Sequence, residues 1–152
     1  MIRKISFNVS QRNHDNILLQ ILNGIEESKY YWNYISNQSE VWKNLDGGLV
    51  FEQERYNNHD FFKCLSSEHF VISIKLQAYK NDDDFSEIHS REDFYDSKCF
   101  LLILINDCEF VEIYTKEDSI ANCIYKNAMS AHFKKISCIS EDFDSRISFD
   151  IM

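Results

Sequence analysis

The chain has 152 residues, with 16 Lys+Arg against 25 Asp+Glu and a formal net charge of -9. That balance excludes the basic footprint that nucleic acid or an anionic lipid surface requires. No apolar run reaches the 18 residues of a membrane-spanning helix, the longest being the six residues Phe100–Ile105.

The predicted elements follow in chain order. Ile5 and Phe7 alternate with Ser6 and Asn8, so a first strand is expected over residues 2–9. Leu18, Ile21, Leu22 and Ile25 recur at i, i+3, i+4 and i+7 and predict a longer helix over about 13–26, capped by Asn13 or Asp15, with Gly24 near its end. Tyr30–Ile35 is aromatic and strand-like. Asp46-Gly47-Gly48 before Leu49-Val50-Phe51 suggests a hairpin turn, and a short helix from Asn58 or His59 would bury Phe61, Phe62 and Leu65.

In the second half, Phe70–Tyr79 alternates strictly. Ile72, Ile74, Leu76 and Ala78 face one way, and Ser73, Lys75, Gln77 and Tyr79 the other, which predicts a strand with one buried face and one polar face. Ser90-Arg91-Glu92-Asp93 has the form of a capping box for a short helix holding Phe94. Cys99–Ile105 is continuously apolar and therefore a central strand. Asn106–Glu109 reads as a turn, and Phe110–Tyr114 as the antiparallel return. Thr115 and Asp118 suggest a second capping box, opening a helix over about 116–131 with Ile120, Cys123, Ile124, Ala128 and Ala131 inward. Lys135–Ile139 is a strand, and Ile147–Ile151 a further one. The expected fold is α+β: one domain over residues 1–152, a mainly antiparallel sheet covered by two longer helices and short helical turns.

Several blocks resemble an uncharacterised domain-of-unknown-function family of spore-forming Gram-positive bacteria. They are Ile5-Ser6-Phe7, Leu19–Ile25, Tyr30–Trp32, Ile74–Tyr79, Ser97-Lys98-Cys99, Val111–Tyr114 and Tyr125–Ala128. The resemblance covers nearly the whole chain. It implies one cytoplasmic domain and carries over no catalytic residue. This chain is richer in acidic residues around Asp82–Asp84 than the family pattern.

Motifs that carry chemistry are scarce. Cys64, Cys99, Cys108, Cys123 and Cys138 form no C-x-x-C and read as reduced thiols of a cytoplasmic protein. His14, His59, His69, His89 and His132 have no ligand spacing, so no metal is expected. Asn81–Asp84 lacks the glycine and the twelfth-position glutamate of a calcium loop. Three glycines cannot build a phosphate-binding loop, and no cofactor is expected. Cys108 stands beside Asp107 and Glu109, which disfavour a thiolate. No catalytic residue is assigned; if the domain were an enzyme, His89 near Glu87 and Glu92 would be the first acid/base candidate.

The charge is local. Residues 1–81 hold nine basic and nine acidic side chains, and residues 97–140 five of each. Segment 82–96 carries -6 and segment 141–152 carries -3, which is the whole excess. The expected function is therefore a non-catalytic binding module, comparable to an immunity or antidote protein, with a basic protein as partner. The candidate partner-binding residues are Asp82, Asp83, Asp84, Glu87, Glu92 and Asp93, with the aromatics Tyr30, Trp32 and Trp42. The alternative is a small-ligand-binding protein or enzyme with a cleft between sheet and helices. If segments 82–96 and 141–152 meet, they form one acidic face.

Overall fold

In the computed structural model, which describes residues 2–12, 16–25, 29–44, 47–140, 146 and 148–151, alternation along the strands decides the architecture. The strands are β1 (Arg3–Asn8), β2 (Tyr31–Tyr34), β3 (Glu40–Lys43), β4 (Arg55–Asn57), β5 (His69–Tyr79), β6 (Leu101–Asn106), β7 (Phe110–Thr115) and β8 (Lys134–Ser140). The helices are α1 (Ile17–Ile21), α2 (Asn58–Leu65), α3 (Arg91–Asp96) and α4 (Asp118–Ser130). The sheet runs β4-β2-β5-β6-β7-β1-β8, every pairing is antiparallel, and the apolar β6 lies at its centre as expected. β5 is long enough to take two partners on one edge: β3 along His69–Ser73 and β2 along Leu76–Tyr79.

One sheet face carries Ile5, Phe7, Ile74, Leu76, Ala78, Leu101, Ile103, Ile105, Val111 and Ile113. It packs against Leu18 and Ile21 of α1, Phe61 and Leu65 of α2, and Ile120, Ile124 and Ala128 of α4. The opposite face carries Tyr79, Leu102, Leu104 and Tyr114, and has its own apolar cover of Ile2, Ile88, Phe94 and Phe149. The sheet is thus buried on both sides.

Five expectations change. The helix expected over 13–26 is five residues long in α1, so the longer helices are α2 and α4. The caps Asn13 and Asp15 lie outside the described residues. Asn16 precedes α1 in the left-handed region (φ 46°), and its side chain accepts from the His69 amide instead of capping its own helix. Buried His69 serves that end: Nδ1 is 2.8 Å from the Ser67 carbonyl, which leaves Nε2 to accept from the Leu18 amide at 3.3 Å. Burial lowers the His69 pKa, consistent with a neutral ring in that role. The chain turns out of α1 through Gly24 at φ 89°, a conformation that favours glycine.

The second capping box does not form. Glu117 stands at the N-cap of α4, and the Thr115 hydroxyl donates to the Phe100 carbonyl while accepting from Glu117 N–H. Ser90, by contrast, caps α3 by accepting from Asp93 N–H at 3.1 Å. The terminal strand expected over 147–151 is, among the described residues, a single bridge between Ser90 and Ser148. The hairpin suggested at Gly47-Gly48 does form, with a bridge from Trp42 to Leu49. At the start of β5 the alternation shifts phase: Val71, and not Ile72 as expected, enters the core. Finally, the polar face of β5 is not solvated: Lys75 is 1 % exposed, Gln77 0 % and Tyr79 2 %. Among the described residues no helix is long and apolar enough to cross a membrane.

Candidate functional site

The buried polar face of β5 is the chemically unusual part of the molecule. Segment 81–97 lies across it as a strap: Ile88 and Phe94 are buried in it, and the Phe94 and Phe149 rings meet edge to face at 6.2 Å. The C-terminal segment holds the strap down. Phe149 N–H donates to the His89 carbonyl at 2.9 Å, and the Arg91 guanidinium to the Arg146 carbonyl at 2.8 Å. Arg146 also pairs with Glu112 at 2.7 Å, which in turn takes Lys4 at 2.8 Å.

Below the strap, the Lys75 ammonium donates to the Ile88 carbonyl and to Asp150 Oδ1 at 2.7 Å. Asp150 also accepts from Gln38 at 3.0 Å and lies 3.0 Å from His89 Nδ1. His89 Nε2 reaches Glu87 at 3.2 Å. Burial works against ionisation of Asp150, but hydrogen bonds from Lys75, Gln38 and His89 outweigh it and hold the pKa at about 2. The hydrogen bonds to Asp150 and then to Glu87 raise the pKa of His89. Both ring nitrogens therefore face carboxylates, an arrangement that favours an imidazolium clamp between strap and tail.

This clamp has a pH window. A carboxylate with a depressed folded pKa contributes stability above its unfolded value, about 3.9, and loses it as pH falls toward 2. A histidine with a raised folded pKa contributes fully below its unfolded value, about 6.5, and loses that contribution as pH rises through the folded value. The clamp is strongest between about pH 4 and 6.5. In thermal melts, His89→Ala is expected to lie below the wild type in that window and to converge on it as pH rises through the raised folded value. A constant difference across pH would show that His89 acts by packing.

Two clefts open where strap and sheet part, and they share Asn33 and Phe85. One, of about 300 Å³, is bordered by Tyr31, Arg55, Tyr79 and Asp82. The other, of about 270 Å³, is bordered by Gln38, Lys75, Gln77, Glu87 and His89. Both lie between sheet and strap, whereas the cleft expected from the sequence lies between sheet and helices.

A family model described as a protein of unknown function, DUF2691, matches residues 2–150. The chain belongs to the DUF2691 family. It is also similar to the uncharacterised protein YncE of Bacillus subtilis, 26 % identical over 158 residues that span 99 % of this chain and 100 % of YncE. No solved structure matches the chain.

In this DUF2691 domain the acidic residues divide by role. Asp82 and Asp83, in a 3-10 turn, and Glu92, on α3, are exposed and form no ion pair with any described residue. Glu87 is exposed and, among the described residues, pairs only with His89. Asp84 is half-buried and accepts from Asn81 at 3.3 Å, and Asp93 accepts from the His89 amide at 2.9 Å while its own amide donates to the capping hydroxyl of Ser90. The two acidic segments do meet, at the Ser90–Ser148 bridge. Yet Asp150 is turned to Lys75 and His89, and Glu141, Asp142 and Asp144 lie outside the described residues.

The aromatics do not share a surface. Trp32 is 1 % exposed, stacked 4.3 Å from Phe61, with its indole N–H donating to Asn58. Tyr30 is half-buried against Phe100, and half-buried Trp42 sits on β3, at the other half of β5. Sequence reasoning missed Lys75, Gln77, Asn33 and Asp150. On an alternating strand the first two have the pattern of solvent-facing residues, and no local signal shows that a distant segment covers them.

Proposed function

We propose that this DUF2691 domain is a non-catalytic protein-binding module, immunity- or antidote-like, whose strap docks a basic partner. The observation that carries this is how the strap sorts its residues. Ile88 and Phe94 are buried while Asp82, Asp83, Glu87 and Glu92 are exposed, so the carboxylates project from an anchored backbone. An anchored acidic surface accelerates encounter with a cationic partner and loses less conformational entropy on docking than a loose loop does. The tail carboxylate Asp150 is engaged internally, so it adds nothing to the docking charge of the strap.

The test is affinity capture from host lysate with the wild type and with the triple variant Asp82→Asn, Asp83→Asn, Glu92→Gln. Each substitution removes charge from an exposed side chain, so the fold is expected to be retained. A basic protein that is held at low salt, released at high salt and absent from the triple variant is the expected result. Equal capture by the triple variant, or capture insensitive to salt, would sink the proposal.

A further inference from the structure

Asn33 and Gln77 oppose each other directly across β2 and β5, and both border the clefts under the strap. Asn33 is 5 % exposed, and among the described residues its side-chain amide has no hydrogen-bond partner. An amide so nearly buried normally finds its partners within the fold, because leaving them unmade costs free energy. Gln77 is more tightly defined. Its NH₂ donates to the Tyr79 hydroxyl at 2.7 Å and to the Ser86 carbonyl at 3.0 Å. The Tyr79 hydroxyl gives its own proton to that same carbonyl at 2.9 Å. Flipping the Gln77 amide would set two carbonyl oxygens against each other, so the network fixes its orientation. The consequence is a buried Oε1 with no donor.

The surroundings narrow what completes these groups. Phe85 borders both clefts and offers an aromatic wall, with the Arg55 guanidinium 4.6 Å from the ring centroid. The cations facing the clefts are Arg55, Lys75 and the His89 imidazolium, and the Lys75 charge is matched by Asp150. Against them stand Asp82, Glu54 and Glu87, so an anionic group gains little here. Each cleft is of a size for a small ring rather than for a peptide.

We propose that the cleft between Asn33, Gln77 and Phe85 binds a small, uncharged planar molecule with an N–H beside a carbonyl, the lactam or carboxamide edge of a nucleobase-sized ring. The ligand N–H donates to Gln77 Oε1, its carbonyl accepts from the Asn33 amide, and its ring lies along Phe85. This site adjoins the acidic surface of the strap, since Asp82 and Glu87 border the clefts, but its hydrogen-bonding groups come from β2 and β5.

The experiment is an amide-detected NMR titration of the full chain with uracil, nicotinamide and, as a planar ring lacking that edge, benzene. The expected result is saturable shifts of the Asn33 and Gln77 side-chain amides with uracil or nicotinamide and none with benzene. Asn33→Leu fills the cleft and removes an amide that bonds nothing in the fold, so it should melt normally and weaken binding at least tenfold. Gln77→Leu serves as the second variant and should weaken binding likewise. If neither uracil nor nicotinamide gives a saturable shift at millimolar concentration, the two amides are met by water alone and the proposal fails. Binding that survives Asn33→Leu, or that benzene shares, overturns it equally.

Discussion

Asp150→Ala is expected to lower the stability of the domain by about 3 kcal/mol, a fall of about 6–12 °C in Tm for a chain of this size. Lys75 is buried on β5, and Asp150 supplies the carboxylate that matches its ammonium at 2.7 Å. Taking ions out of water is costly, and the pair is tolerated because each satisfies the other. Removing Asp150 leaves a buried ammonium with the Ile88 carbonyl as its remaining acceptor, and frees Gln38 and His89 as well. The double variant Lys75→Met, Asp150→Ala removes both charges while keeping an unbranched chain on β5. It is expected to recover most of the loss, to within about 1 kcal/mol of the wild type. Urea denaturation of the four proteins of the cycle measures the coupling. If Asp150→Ala melts with the wild type, the strap is held by Phe149 and Ile88 and the ion pair is incidental.

The largest loss is expected at Phe61→Ala, about 4 kcal/mol. Phe61 is fully buried where α2 meets the sheet, stacked on Trp32 at 4.3 Å and nearly parallel to Phe51 at 5.8 Å, with Phe62 edge-on at 5.3 Å. Truncation opens a cavity bordered by large rings that cannot collapse without leaving their own packing. Phe62→Ala, half-buried on the same helix, is the control and should cost about half as much or less. Trp32 reports the change, since a cavity beside its indole alters the fluorescence of the folded state. Equal losses for the two variants would mean that the cluster relaxes freely and that Phe61 is not its centre.

The two variants probe opposite faces of one sheet, and the faces differ in how far they can be read from the chain. The face under the helices was legible. Alternation in β1, β7 and β5 from Ile74 onward, the continuous apolar run in β6 and the 3.6 period of α4 each place their own residues, because periodicity is a local property. The other face was misread at Lys75, Gln77 and Tyr79. Their alternation is as regular as that of a solvated face, and what buries them comes from 81–97, which holds only a 3-10 turn and the short α3, and from 146 and 148–151. Burial by an irregular strap leaves no period to detect.

The candidate site divides the same way. The local excess of carboxylates in 82–96 is a matter of counting, and the structure leaves most of them exposed. What the count could not say is that Asp150 spends its charge inward, or that Trp32 lies in the core. A charge's role depends on its nearest partner in space, and Lys75 and Asp150 are 75 residues apart.

By itself the sequence determined an antiparallel α+β fold, the strands β1, β2, β5, β6, β7 and β8 in their order along the chain, the helix that buries Phe61 and Leu65, and the absence of a basic footprint. All of these follow from period, composition and turn chemistry, which act over a few residues. Only the tertiary structure decided that the polar face of β5 is interior, that a lysine there is neutralised by Asp150, and that the Asn33 amide and the donor-less Gln77 Oε1 belong to residues that stand opposite each other beside a cleft. Each depends on contacts between segments far apart in the chain. Such contacts exist because a sheet with two apolar faces must be covered twice, and the second cover is whatever chain remains to reach it.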